Sequence, residues 1–274
     1  MRRDPSRILL PVLAGTVEED TIWLFLQDFK RVEASGITPF PQAEAVTRTL
    51  HALQLTLPRE APLPTAPQPA ESADDLNTRG KGLRAQGKHA EALELFKRAA
   101  QLDPRCVDPW AILGYTLNQM ERYEEALPVH ELATTLDPNN VVAWNNKGWA
   151  LGELERYGEA LDAYERALVL DQNIATVWTN KGAALTGLKC YEDALVAHER
   201  ALAVDPNFAL AWNNKGVALG GVGRHADDLV ALDRALALDP DFAVAWNNKG
   251  AVLRALGRTG EAEEAERRAK ELGG

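Results

Sequence analysis

The stretch Ala143-Trp144-Asn145-Asn146-Lys147-Gly148 decides how this chain must be read, because it does not occur once. The same six residues stand at 211–216 and 245–250, and 177–182 carries the variant Val177-Trp178-Thr179-Asn180-Lys181-Gly182. Trp144, Trp178, Trp212 and Trp246 follow one another every 34 residues, with Trp110 one period earlier and Leu76 one period before that. Self-similarity at a fixed period of this length marks a solenoid, in which each repeat buries its apolar face against its neighbours. Function is therefore to be sought on the surface of a repeat scaffold.

The unit beginning at Val141 shows the pattern. Trp144, Gly148 and Leu151 share one face of a helix predicted over about 141–154. Tyr157, Ala160, Leu161, Tyr164, Ala167 and Leu168 form the apolar stripe of a second, over about 158–170, after a tight turn at Glu155-Arg156-Tyr157. Four units close with Asp-Pro, at 103–104, 137–138, 205–206 and 239–240. Proline cannot continue a helix, and it turns the preceding residue away from helical angles. The third unit has Asp171-Gln172 instead, so a softer stop is expected there. Small residues recur where the paired helices must approach, as at Gly148 and Ala160.

This pattern strongly resembles the tetratricopeptide repeat (TPR) family over roughly three-quarters of the chain. The family's Trp, Gly, Leu, Ala, aromatic, Ala, Pro series falls on Trp110, Gly114, Leu117, Ala126, His130, Ala133 and Pro138. The resemblance implies an all-α fold, a right-handed α-solenoid of six helix-turn-helix units: 73–106, 107–140, 141–174, 175–208, 209–242 and 243–274. In the last unit Glu266 replaces the aromatic of Phe96 and Tyr164, so Glu263, Glu266, Arg267 and Lys270 are expected to face outward as a polar cap. Asp228 stands where Ala126, Ala160 and Ala194 stand elsewhere. A buried carboxylate needs a partner or a raised pKa. Either unit five is loosened there, or an arginine such as Arg224 reaches it.

Residues 1–57 lie outside the repeat. They read as a small segment of one strand, Arg7–Leu13, and two helices, Glu18–Glu33 and Glu44–Leu55. Arg2, Arg3 and Arg7 before Ile8–Leu13 imitate a secretory signal, but Pro11 and the lack of a small-residue cleavage site favour a buried strand. Ser6–Gly15, Phe25-Leu26-Gln27 and Ala45–Leu55 resemble the C-terminal part of a bacterial Toll/interleukin receptor (TIR) domain. That resemblance implies a remnant without the family's catalytic glutamate, which precedes this strand. The alternative is a helical cap for the repeats. Pro58, Pro62, Pro64, Pro67 and Pro69 make 58–72 a semi-rigid linker.

A net charge of −10 and a pI near 5.1 argue against nucleic acid as partner, since phosphate binding needs clustered Lys and Arg. No apolar run approaches the length of a membrane span. Cys106 and Cys190 fall more than two repeats apart and should not pair, which fits a reducing, cytoplasmic setting. No catalytic constellation emerges, so no enzyme activity, cofactor or metal is expected. His130 and His198 occupy the aromatic position of their units, and His89 and His225 replace the turn tyrosine. Gly220, Gly221 and Gly223 sit on a helix end with no preceding strand to make a phosphate loop.

The surface candidate is the ladder Asn146, Asn180, Asn214 and Asn248. By family resemblance this position of the first helix faces the concave groove. An amide there can offer a donor and an acceptor to a peptide backbone; a helix-to-helix hydrogen bond is the other reading, and both stand. Asn145, Asn213 and Asn247 flank the ladder, and Trp149, unlike the repeat tryptophans, which read as core buried between helices, falls on the groove face as a candidate contact. Around them Val142, Thr176, Leu210, Val244, Ala183, Val217, Gly220 and Gly221 are expected to make a small, neutral, mildly apolar lining. The family's carboxylate clamp needs Lys and Arg where this chain has Asn145, Thr176 and Asn180. The row Lys147, Lys181, Lys215 and Lys249 reads as paired to nearby carboxylates, or else as a contact for an acidic partner. The expected function is a non-enzymatic protein-protein interaction scaffold holding an extended peptide segment. Two alternatives are the regulatory arm of a TIR-type effector and a self-assembly module.

Overall fold

The computed structural model describes residues 71–273, and the strand, helices and TIR resemblance read into residues 1–57, with most of the linker, lie outside them. The described residues form twelve α-helices in two bodies, the first reaching to Pro138 and the second starting at Asn139. In the first body α1 (Ala73–Ala85) pairs with α2 (His89–Leu102), and α3 (Val107–Gln119) with α4 (Tyr123–Leu136). In the second, four pairs stack in chain order: α5 (Val141–Glu153) with α6 (Tyr157–Leu170), α7 (Ala175–Gly187) with α8 (Tyr191–Val204), α9 (Ala209–Gly221) with α10 (His225–Leu238), and α11 (Ala243–Ala255) with α12 (Thr259–Glu271). Each second helix also packs on the next first helix within the body, which is the solenoid connectivity read from the 34-residue period.

Local chemistry sets the helix ends. α1 opens on a capping box in which Ser72 and Asp75 satisfy each other's backbone N–H groups. Every first helix ends in a left-handed residue: Gly87, Glu121, Glu155, Lys189, Gly223 and Gly257, with φ between 57° and 78°. Around Glu155 the Arg156 N–H donates to the Leu151 carbonyl (2.9 Å) and the Glu155 N–H to that of Gly152 (3.0 Å), capping two otherwise orphaned carbonyls. Lys189 and Cys190 repeat this on α7. Three units thus hold a residue with a Cβ where glycine is the unstrained choice.

The third unit does not have the softer stop its missing proline suggested. α6 runs 14 residues and ends on an extended Asp171, as α8 ends on Asp205. The aspartate is the reason: Asp171 Oδ1 accepts from the Asn173 N–H (2.8 Å), and Asp103, Asp205 and Asp239 accept from the backbone two residues on in the same way. The proline reinforces a turn that the aspartate already makes.

Within each pair the helices meet at one glycine. A Cβ built on Gly148 would lie 2.5 Å from the Tyr164 ring, and Gly80, Gly114 and Gly182 meet Phe96, His130 and His198 equally closely. Both histidines are fully buried, as expected of aromatic substitutes. Gly187 and Gly221 likewise give way to the rings of Tyr157 and Tyr191 on the preceding helix pair. The tryptophans need correction. Trp110 is fully buried, but Trp144, Trp178, Trp212 and Trp246 are half-buried at the rim. Trp212 packs one side on the cluster of Ala201, Leu202 and Ala211 and also on that of Leu232 and Ala245, bridging consecutive units. Its indole N–H donates to the Pro206 carbonyl, 2.9 Å away, and Trp178 makes the same bond to Gln172. The polar cap is also modified. Glu266 folds over Gly250 and makes a bidentate pair with Arg254 instead of facing outward, whereas Glu263, Arg267 and Lys270 are exposed.

Glycine at the left-handed positions of the middle units should relieve the strain described above. Glu155→Gly and Lys189→Gly are each expected to stabilise the second body by about 1 kcal/mol. Urea unfolding reads this directly, and a lowered midpoint in both variants would contradict it.

Candidate peptide-binding site

The residues two, five, six and nine places along each first helix of the second body share one face, because helical neighbours recur at three and four residues. On α5 these are Val142, Asn145, Asn146 and Trp149; on α7, Thr176, Thr179, Asn180 and Ala183; on α9, Leu210, Asn213, Asn214 and Val217; on α11, Val244, Asn247, Asn248 and Ala251. The outer members are open to solvent: Val142, Leu210, Val217 and Val244 are exposed although aliphatic, as are Thr176, Ala183 and Ala251. Trp149 is half-buried, and its indole N–H donates to Glu153 Oε1 (3.3 Å), one turn further on. No charged side chain stands at any of these sixteen positions.

The asparagines are not equivalent, although the sequence presents them as a uniform ladder. Asn146 is buried, and so is the flanking Asn213, whereas Asn180, Asn214 and Asn248 are half-exposed and Asn247 is exposed. Asn180 Nδ2 donates to Asn145 Oδ1 on the preceding first helix (3.1 Å), and Asn145 Nδ2 lies 3.5 Å from Asn146 Oδ1. The arrangement recurs two units later: Asn248 Nδ2 donates to Asn213 Oδ1 (2.9 Å), and Asn213 Nδ2 to Asn214 Oδ1 (3.0 Å). Between these triads Thr179 replaces the bridging asparagine, and its hydroxyl donates to the Ala175 carbonyl of its own helix (2.9 Å). Two members of the ladder, Asn180 and Asn248, thus make helix-to-helix hydrogen bonds, each to an asparagine 35 residues earlier.

The lysine row is engaged. Lys181 pairs with Glu165 and Lys215 with Glu199 at 3.1 Å, and Lys249 with Asp233 at 2.7 Å, each partner on the preceding second helix. All four ammonium groups of the row, Lys147 included, lie 5.2–5.7 Å from the centroid of their own unit's tryptophan ring, within cation–π range. The lysine stems thereby cover the exposed rim of the tryptophans.

Two buried titratable groups belong to the packing. His198 lies in the α7–α8 contact with neither ring nitrogen hydrogen-bonded, and burial pushes its pKa down to about 4. Asp228 is 6% exposed, against Gly216, Gly220 and Leu232. Arg224 does not reach it, being paired with Asp227 at 2.6 Å. Its carboxylate fills space that the larger ring of Tyr164 takes in unit three, where Leu232 now stands. Without a hydrogen-bond partner its pKa is pushed up by desolvation to about 7. Among the described residues no group of three His, Cys, Asp or Glu could hold a metal ion, both cysteines are free, and no helix is long and apolar enough to cross a membrane.

Stacked helix pairs, each with a side chain packed on a recurrent glycine, define a helical-repeat protein. Family models of the tetratricopeptide repeat match residues 83–129, 141–174, 175–208 and 231–264, and the chain belongs to that family. Solved structures of the same fold include PilW, described as a widely conserved type IV pilus biogenesis factor (TM-score 0.66, 19% identity, 75% of this chain and 94% of that one). TTC0263, a thermophilic TPR protein in Thermus thermophilus, aligns at TM-score 0.58 and 19% identity over 66% of this chain and 99% of its own. MamA residues 41 to the end, from Desulfovibrio magneticus RS-1, align at 0.56 and 21% over 63% and 98%. At these identities they establish the fold alone. No curated protein matches the chain significantly.

Asp228 makes a pH prediction. Its folded pKa lies above the unfolded value of 3.8, so the folded state binds the proton more tightly, and stability is lost as pH rises from about 4 through about 7. Asp228→Asn removes that dependence. Its stability advantage over the parent should open over this interval to something on the order of 4 kcal/mol. Thermal or urea unfolding at a series of pH values measures the gap, and comparing the two proteins cancels the opposite trend from His198. A gap that stays constant with pH would show that Asp228 is not the buried titrating group.

Proposed function

We propose that this chain is a non-enzymatic protein-interaction scaffold, and that the shared face of its first helices holds an extended peptide segment of a partner. One observation carries the reading: in the second body, exposed aliphatic side chains flank half-exposed asparagines on a strip without charge. An uncharged strip of this kind offers hydrogen bonds to the main chain and shallow apolar contact to modest side chains, whatever their sequence. Membership of the tetratricopeptide family and the likeness to other repeat scaffolds support an interaction role. The engaged lysines make an acidic partner the weaker alternative. Releasing an ammonium group would give up both its ion pair and its tryptophan face.

Each neutral hydrogen bond contributes about 0.5–1.5 kcal/mol net. Recognition is therefore distributed along the strip. Decapeptides selected from a displayed library against the full chain supply the ligands. Replacing one of the half-exposed Asn180, Asn214 or Asn248 by Ala should weaken their binding by about tenfold or less, and replacing all three should nearly abolish it, with the buried Asn146 left in place. Because Asn180 and Asn248 also brace neighbouring helices, circular dichroism melts must accompany the titration. Affinity should change little with salt. Full affinity in a folded threefold variant would refute the strip as the binding face, and a steep loss of affinity with salt would point to the lysines.

A further inference from the structure

We infer that the segment held by the first helices carries an arginine, and that its guanidinium docks on the Asp228 carboxylate of unit five through the gap at Gly220. The inference rests on the proposed function and adds a side-chain specificity to the same site. It starts from a difference between units five and six. In unit six the Glu266 carboxylate lies against the first helix, with Oε1 3.4 Å from a Cβ built on Gly250. Arg254 of that first helix closes over it in a bidentate pair, at 2.6 and 2.7 Å. Unit five puts a carboxylate in the equivalent place: Asp228 Oδ1 is 2.9 Å from a Cβ built on Gly216, the residue 34 before Gly250. The residue 34 before Arg254, however, is Gly220. The carboxylate is repeated and its cation is not.

The cations that flank this place in the sequence are spent elsewhere. Lys215 is held by Glu199 and Arg224 by Asp227, while Asp228 Oδ1 is buried without a hydrogen-bond partner. A buried carboxylate left in this state is costly, and a charged donor removes the cost. The way in is at Gly220, a half-exposed residue whose added Cβ would stand 2.8 Å from Asp228 Oδ2. Gly220 follows Val217 by one turn and Asn213 by two, so it borders the asparagine strip. Units four and six carry Thr186 and Arg254 at this position. Unit three also has a glycine there, Gly152, but what faces it is the Tyr164 hydroxyl, 3.8 Å from an added Cβ. A guanidinium suits the cleft better than an ammonium, because its planar fork grips a carboxylate bidentately and it is more weakly hydrated. Shielded from water, the pair is screened little by salt, unlike a contact on the lysine rim.

Asp228→Asn keeps the shape of the side chain, removes its charge and is expected to fold at least as stably as the parent. The displayed decapeptide library is selected against the full parent chain and, separately, against full-length Asp228→Asn and Asp227→Asn. Asp227 is exposed and paired with Arg224, so its variant controls for the overall acidity of the chain. Peptides from the parent and from Asp227→Asn should share an arginine at one position, and those from Asp228→Asn should lack it. Replacing that arginine by citrulline, its uncharged isostere, should weaken binding to the parent by about tenfold or more and to Asp228→Asn by about twofold or less. Parent-selected peptides without a shared arginine would overturn the inference, as would a citrulline loss as large in Asp228→Asn as in the parent. In either case the strip, judged by its three asparagine variants, stands as the site. If the parent selects no peptide at all, this inference and the binding function it rests on both fail.

Discussion

The contact on which the fold depends is that between a glycine of each first helix and one side chain of its paired second helix. Where Gly148 meets Tyr164, or Gly182 meets His198, no atom larger than hydrogen fits between the helix backbone and the ring. That single contact fixes how closely each pair packs, and hence the distance from one first helix to the next. The facing side chain varies from Phe96 through Tyr164 to Glu266, and the rest of the pair adjusts to it. Unit five shows how far this adjustment goes. Leu232 is too small to cover Gly216 and Gly220, and the Asp228 carboxylate occupies the remainder at the cost of its own solvation. Volume is conserved there, and polarity is what suffers.

Fixed spacing has consequences at the surface. Trp178, Trp212 and Trp246 each bridge two units, and their outer faces are closed by Lys181, Lys215 and Lys249, each held by a carboxylate of the preceding second helix. Charge is thereby confined to a self-compensating rim. The neighbouring face of the first helices keeps neutral amides and short aliphatic groups. Because successive first helices are close enough for Asn180 to reach Asn145, the same amides that brace the helices also orient one another. The same asparagines are the proposed recognition groups, and Thr179, whose hydroxyl bonds within its own helix, lacks the brace that Asn145 and Asn213 make.

Periodicity makes the repeat legible in the sequence. The 34-residue spacing, the apolar stripes and the small residues at Gly148 and Ala160 identify the helix pairs, with helix ends within one or two residues of those found. Three things were not legible, each for a physical reason. The proline at the unit boundary obscured the aspartate before it, whose side chain makes the turn even at Asp171-Gln172. Tryptophan size suggested full burial, but a ring bridging two units can also be covered by a lysine stem. The ladder looked uniform because residue type does not show which asparagine bonds to the neighbouring helix; that depends on the residue 35 positions earlier, where Thr179 breaks the series.

The central claim is that a partner's main chain meets the asparagine face of the first helices and not the lysine–tryptophan rim. Side-chain amide and indole N–H resonances of the isotopically labelled chain report both faces in one spectrum. On titration with a library-selected peptide, the account predicts large shifts and slowed solvent exchange for the amides of Asn180, Asn214 and Asn248, with the indole signals of Trp178, Trp212 and Trp246 unmoved. Shifts concentrated on those indoles, with the three amides unchanged, would contradict it.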